Sequence, residues 1–149
     1  IRAGVQRMCI EELESPENIK HTNGIGFIAP LYVGAAGKTL LAELEDRQIH
    51  LLLNSITLAP ITPKSITDQK KLFKEINKIR KQGYAMSLGE RIVGGSCLSV
   101  PIKDYTIPVA LSVLGLENRF NIDEMMDLLE KIKKSAEKIS SNLKGFKGG

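Results

Sequence analysis

Residues 97–114 read Cys97-Leu98-Ser99-Val100-Pro101-Ile102, then Lys103-Asp104-Tyr105-Thr106, then Ile107-Pro108-Val109-Ala110-Leu111-Ser112-Val113-Leu114, and this stretch decides the fold. Two runs of alternating side chains flank a four-residue polar connector, the pattern of an antiparallel hairpin. Successive side chains of a strand point to opposite faces. Leu98, Val100, Ile102, Ile107, Val109, Leu111 and Val113 therefore share one face, and Cys97, Ser99, Ala110, Ser112 and Leu114 share the other. With Ile102 opposite Ile107 and no bulge, Cys97 stands across from Ser112. The branched face belongs in a core, while the small, weakly polar face leaves room for something else.

Working outward, Asn121 as N-cap and Glu124 at the third helical position open a long helix. Its apolar stripe (Ile122, Met125, Met126, Leu129, Ile132, Ala136, Ile139, Leu143) needs a sheet or another helix to cover it. Met125 and Met126 are expected as core or oligomer contacts. Upstream, Tyr84 to Leu88 begins the strands. Before it a helix is expected to start near Ser65, with Asp68 at capping-box spacing, and to run to Gln82 with Gly83 as terminator. Helices are also expected over 35–44 and 46–54. Residues 3–13 are expected to hold a strand ended by the turn Ser15-Pro16-Glu17-Asn18, and 23–34 an irregular crossing segment rich in Gly and Pro. Helices followed by a strand meander and a last helix indicate an α+β domain, an antiparallel sheet flanked by helices.

The chain has 149 residues, a size that suits one domain with one core. Its apolar runs are too short to cross a bilayer. Two cysteines, Cys9 and Cys97, lie far apart with no metal-ligand spacing, so free thiols in a reducing cytoplasm and no bound metal are expected. The net charge of +4 is uneven: residues 64–83 carry seven basic and two acidic groups, and residues 131–149 six and one. No helix-turn-helix, zinc module or aromatic RNA platform accompanies this charge, and both blocks read as solvated helix faces. Gly37-Lys38-Thr39 opens a helix as a P-loop does, but Tyr32 stands where that motif needs glycine. Cys97 has no activating base in view. His21 and His50 read as incidental, and Lys38 and Arg80 as side chains reaching for water. No acid/base pair or cofactor motif is present, so no enzyme activity is expected.

Several segments in order resemble the C-terminal domain of the IclR family of transcriptional regulators. These are Pro30-Leu31 with Ala35-Ala36-Gly37-Lys38-Thr39-Leu40-Leu41-Ala42; Ile79-Arg80-Lys81-Gln82-Gly83-Tyr84-Ala85; Glu90 with Gly94-Gly95-Ser96-Cys97-Leu98-Ser99-Val100-Pro101; and Leu111-Ser112-Val113-Leu114-Gly115. The resemblance implies a GAF-like sensory fold over residues 1–143, without the helix and strand that usually precede it, and a flexible tail over 144–149. It also implies a dimer or tetramer that reads DNA through an N-terminal winged helix-turn-helix lying outside this chain. The implied effector is a small organic acid whose carboxylate meets the amides of Ala35 and Ala36, at a helix N-terminus suited to anions. Cys97 and Ser112 match two further ligand positions of the family, and the expected register sets them side by side. Ser87 stands where glyoxylate-sensing members have Asp, and Leu114 where they have Ser. Ala29 and Gly95 complete the expected wall. A carboxylate with a more apolar body is the expected ligand, because unpaired buried polar groups cost about 1 to 3 kcal/mol each. A structural oligomerisation domain without an effector is the alternative.

Overall fold

The computed structural model describes residues 1–18 and 20–146, the side chains of 145 and 146 excepted. Among the described residues two three-stranded antiparallel sheets and four helices make an α+β domain. The first sheet joins β1 (Arg2–Ala3), β2 (Gln6–Met8) and β3 (Ile28–Pro30) in that order. The strand expected over 3–13 is thus broken by a turn at Gly4, whose φ of 62° suits glycine. The crossing segment also contributes the short strand β3.

The helices α1 (Gly34–Ala42), α2 (Asp46–Asn54) and α3 (Gln69–Gln82) follow. The start of α3 corrects the expected cap. Asp68, not Ser65, is the N-cap, its carboxylate accepting the Lys71 N–H at 2.7 Å. Ser65 Oγ instead accepts the amides of Ile61 and Thr62 and donates to the Glu90 carbonyl. Gly83 closes α3 in the left-handed conformation.

The second sheet has the order β4 (Ala85–Leu88), β5 (Gly95–Ile102), β6 (Val109–Leu116). Its hairpin has a different register from the one expected: Ile102 pairs with Val109, Ser99 with Ser112, and Cys97 with Leu114. The loop absorbs two more residues because Asp104 turns at φ 64° and Pro108 has no N–H to offer a ladder. A shift of one would have inverted the faces, but a shift of two preserves them. Ile107 leaves its expected core place for an exposed position in the loop, and Val109 lines a cavity instead of joining the core packed on α4.

The two faces build two cores. Leu98, Val100, Leu111 and Val113 pack on Met125, Leu129, Ile132 and Ala136 of α4 (Ile122–Phe146). On the opposite face Cys97, Ala110 and Leu114 meet the α1, α2 and α3 side chains around Leu40, Leu41 and Ile76. The hairpin is therefore a central layer between α1 and α4. Asn121 caps α4 through the amides of Asp123 and Glu124. Met125 is fully buried and Met126 half exposed. The helix runs on into the segment expected as a tail; residues 147–149 lie outside the described residues. No helix among the described residues is long and apolar enough to cross a membrane.

Candidate functional site

A cavity of about 930 Å³ lies over the small-residue face of β5 and β6, against the start of α1, within the size range of small-molecule sites. Ala35, Ala36, Ser87, Gly95, Cys97, Ser112 and Leu114 all line it. Ala29 does not: it is buried in β3 beside Arg7, its partner in the ladder. The void continues past the free edge of β6 to residues of the opposite sheet face, including Val113 and Ile139.

Local sequence explains how α1 presents its first turn. Val33 supplies no side-chain cap, and Gly34 takes φ 78°, so the first amides must find partners elsewhere. The Gly34 N–H donates to Glu90 Oε2 at 3.1 Å and the Ala35 N–H to Ser87 Oγ at 3.0 Å. The Ala36 amide faces the thiol of Cys97, a weak acceptor. Gly37 permits the close approach of α1 to the preceding segment, since a Cβ there would lie 2.2 Å from the Leu31 carbonyl oxygen.

Lys38 is not the water-seeking side chain expected. It is fully buried, with Nζ 2.6 Å from Glu90 Oε1 and 3.6 Å from a Glu75 oxygen. Glu90 thereby joins Lys38 to the first amide of α1. Arg80 also stays with the protein, donating to the Ala42 and Leu44 carbonyls and pairing with Asp46, and so caps the end of α1.

Cys97 is buried, and burial pushes its thiol above the ordinary value against the opposing pull of Arg7, the Ala36 amide, Arg91 and Ser112. A thiol kept protonated is a poor nucleophile, so Cys97 acts here as a small, soft wall. Ser112 Oγ donates to Ser99 Oγ at 2.9 Å, and Ser112 lines the cavity.

Among the cavity residues outside the expected set, three polar ones stand together. Arg7 is only 7% exposed, and its Nε has no hydrogen-bond partner. Burial lowers its proton affinity. Arg91 sits over the Phe27 ring at 4.9 Å, with Arg7 over the same ring at 5.8 Å. Arg91 Nη2 reaches His21 Nε2 and Asn23 Oδ1, both at 2.6 Å. His21 is therefore not incidental: it accepts from Arg91, and burial followed by Arg91 holds its pKa below the ordinary value. These residues come from positions 7, 21 and 91, and no spacing pattern links them. The one local signal is an arginine in a strand with apolar neighbours, which reads equally well as an outward-facing residue. Among the described residues no group of three or more His, Cys, Asp or Glu side chains is placed to hold a metal ion.

Residues 1–141 match the family model described as the C-terminal domain of the bacterial transcriptional regulator IclR. The chain is 30% identical to the transcriptional regulator KipR of Bacillus subtilis over 145 residues, covering 96% of this chain and 58% of the relative. It is 28% identical over the same length to the transcriptional repressor AllR of Escherichia coli, with 96% and 54% coverage. The chain thus spans little more than half of these curated relatives, both of which are transcriptional regulators. The Thermotoga maritima IclR crystal structure superposes with a TM-score of 0.87 at 33% identity, over 95% of this chain and 58% of that one. With two core layers on one hairpin, a cavity at the start of α1 and a match over nearly its full length, the chain belongs to the IclR C-terminal family.

Proposed function

We propose that this domain senses a small organic acid on behalf of an oligomeric IclR-type regulator, whose DNA-reading part is a separate winged helix-turn-helix. The observation that carries this reading is the cavity itself: a void bounded by the start of α1 on one side and by Cys97 and Ser112 on the other. An anion there meets the positive end of a helix and an amide, Ala36, whose present partner is only a thiol. Ser87 can rotate away from the Ala35 amide to release a second donor. Leu114 and Gly95 offer apolar, small walls, which favours a carboxylate with an aliphatic or aromatic body over a hydrated aldehyde.

Ligand contacts transmit through shared strands. The cavity face of β5 and β6 backs directly onto the face that packs on α4, so occupancy biases how α4 lies and which oligomeric arrangement is favoured. The spacing of attached DNA-reading heads follows from that arrangement.

The second reading is a structural oligomerisation domain that binds no effector, and it is favoured by the amides of Gly34 and Ala35 being already satisfied by Glu90 and Ser87. A thermal-shift screen of small organic acids separates the two, because only a ligand that prefers the folded state raises the melting temperature. A saturating rise, lost in Cys97→Phe, which fills the void, supports sensing. A panel of aliphatic and aromatic acids with no effect supports the structural role.

A further inference from the structure

Most of the acids around the cavity are already committed, and Glu11 holds the neighbouring Glu12 amide at 3.1 Å. The Glu12 carboxylate accepts the backbone N–H groups of Asn23 and Gly24. Glu14 pairs with Lys20 at 2.7 Å, Glu17 with Arg119 at 3.5 Å, and Glu90 with Lys38 at 2.6 Å. The two guanidiniums are not matched in this way. Neither Arg7 nor Arg91 forms an ion pair among the described residues. Arg91 spends one nitrogen on neutral acceptors, while Arg7 is more than nine-tenths buried and keeps an unpartnered Nε. A buried cation without a counter-charge is costly; Arg7 is one, and it shares the Phe27 ring with the half-buried Arg91, both guanidiniums lining the cavity. A guanidinium offers a planar fork of donors suited to a carboxylate or phosphate.

We infer that the ligand carries two acidic groups, one received at the start of α1 and the other by the Arg7–Arg91 pair. This rests on the sensing role proposed above and narrows its ligand class from organic acids to dianions with an apolar spacer. Cys97 lines the same cavity as Ala36, Arg7 and Arg91, and the Ala36 amide and both arginines act on its thiol. The second group is a carboxylate or a phosphate, since both present the oxygens the fork would bind.

Calorimetry on the purified chain tests this with matched probes: glutarate and adipate against pentanoate and hexanoate, with adipate monomethyl ester as a shape control and phosphonoacetate as the phosphate-like arm. The expected result is that the best dianion binds at least about tenfold tighter than its monoacid, a difference on the scale of one charge-assisted contact. Arg91→Gln, at a half-buried loop position, should collapse that ratio while moving the monoacid less than about threefold. Arg7→Met should do the same if Arg91→Gln fails to fold. Phosphonoacetate binding more tightly than glutarate supports the inference with phosphate as the second group. A monoacid or the monoester as tight as the diacid, or a ratio unchanged in both variants, overturns the inference and leaves the sensing role standing. Failure of every acid to bind overturns both.

Discussion

Arg7 keeps its charge where water scarcely reaches and no carboxylate answers it. Replacing such a group by an apolar side chain of similar length removes a desolvation cost, and exchanges of this kind are often neutral or stabilising by about 1 to 4 kcal/mol. Arg7→Met is therefore expected to raise the melting temperature of the ligand-free chain by roughly 3 °C, after allowing for the lost contact with Phe27. Differential scanning fluorimetry reads this directly, and a fall of several degrees would show that Arg7 is paired in solution. His21 adds a pH dependence. Burial, then Arg91 and to a lesser degree Arg7, depress its pKa in the fold, against the Gly115 carbonyl and the Glu12 carboxylate. The unfolded chain therefore takes up this proton first as the pH falls, so the contribution of His21 is intact above about 6.5 and is lost below it. Melting curves between pH 7.5 and 5.5 should show a decline that His21→Gln lessens. Neither residue was legible in the sequence as part of a site, because the signal lies in three distant segments meeting at one ring. That Cys97 and Ser112 share one sheet face was legible, because alternation within a single hairpin is a local property that survives a change of register.

At the scale of elements, α1 depends on two features that act on its first turn. Gly37 lets the helix lie against Leu31, and an added Cβ would run into the backbone there. Gly37→Ala is expected to cost about 3 kcal/mol or more, seen as a fall in melting temperature of at least roughly 6 °C. Lys38 neutralises Glu90, which in turn holds the Gly34 amide. Lys38→Met leaves that carboxylate buried and unpaired, a loss expected at about 3 to 5 kcal/mol. Adding Glu90→Gln should recover part of it in urea unfolding, since the amide oxygen can still accept from Gly34. The helix over 46–54 matched its expected span, and the close of α3 at Gly83 was readable from capping chemistry. The hairpin register was not: it depends on how Asp104 and Pro108 shape the loop, and a four-residue connector and a six-residue one look alike in sequence. Lys38 misled for a similar reason, since a lysine on a helix normally finds water unless the tertiary fold brings it a carboxylate.

Across the whole molecule, the hairpin separates the layer that carries the cavity and α1 from the layer packed on α4, the division through which the proposed sensing would act on assembly. The helix α4 leaves Ile122, Met126 and Ile139 exposed to varying degrees, Ile139 also reaching the cavity, a surface that can serve contacts between copies under the proposed role. Met126→Glu with Ile139→Lys should shift sedimentation toward the monomer without lowering the melting temperature of the monomer itself; an unchanged distribution would place the contacts elsewhere. The central claim is that an organic acid anion enters the void between α1 and β5. A nitrogen-detected NMR titration of the labelled chain with adipate tests it most directly. The account predicts saturable shifts of the Ala36 backbone amide and the Arg7 Nε–H signal at a common midpoint. Shifts confined to the basic faces of α3 and α4, with both of those signals unmoved at saturation, would contradict it.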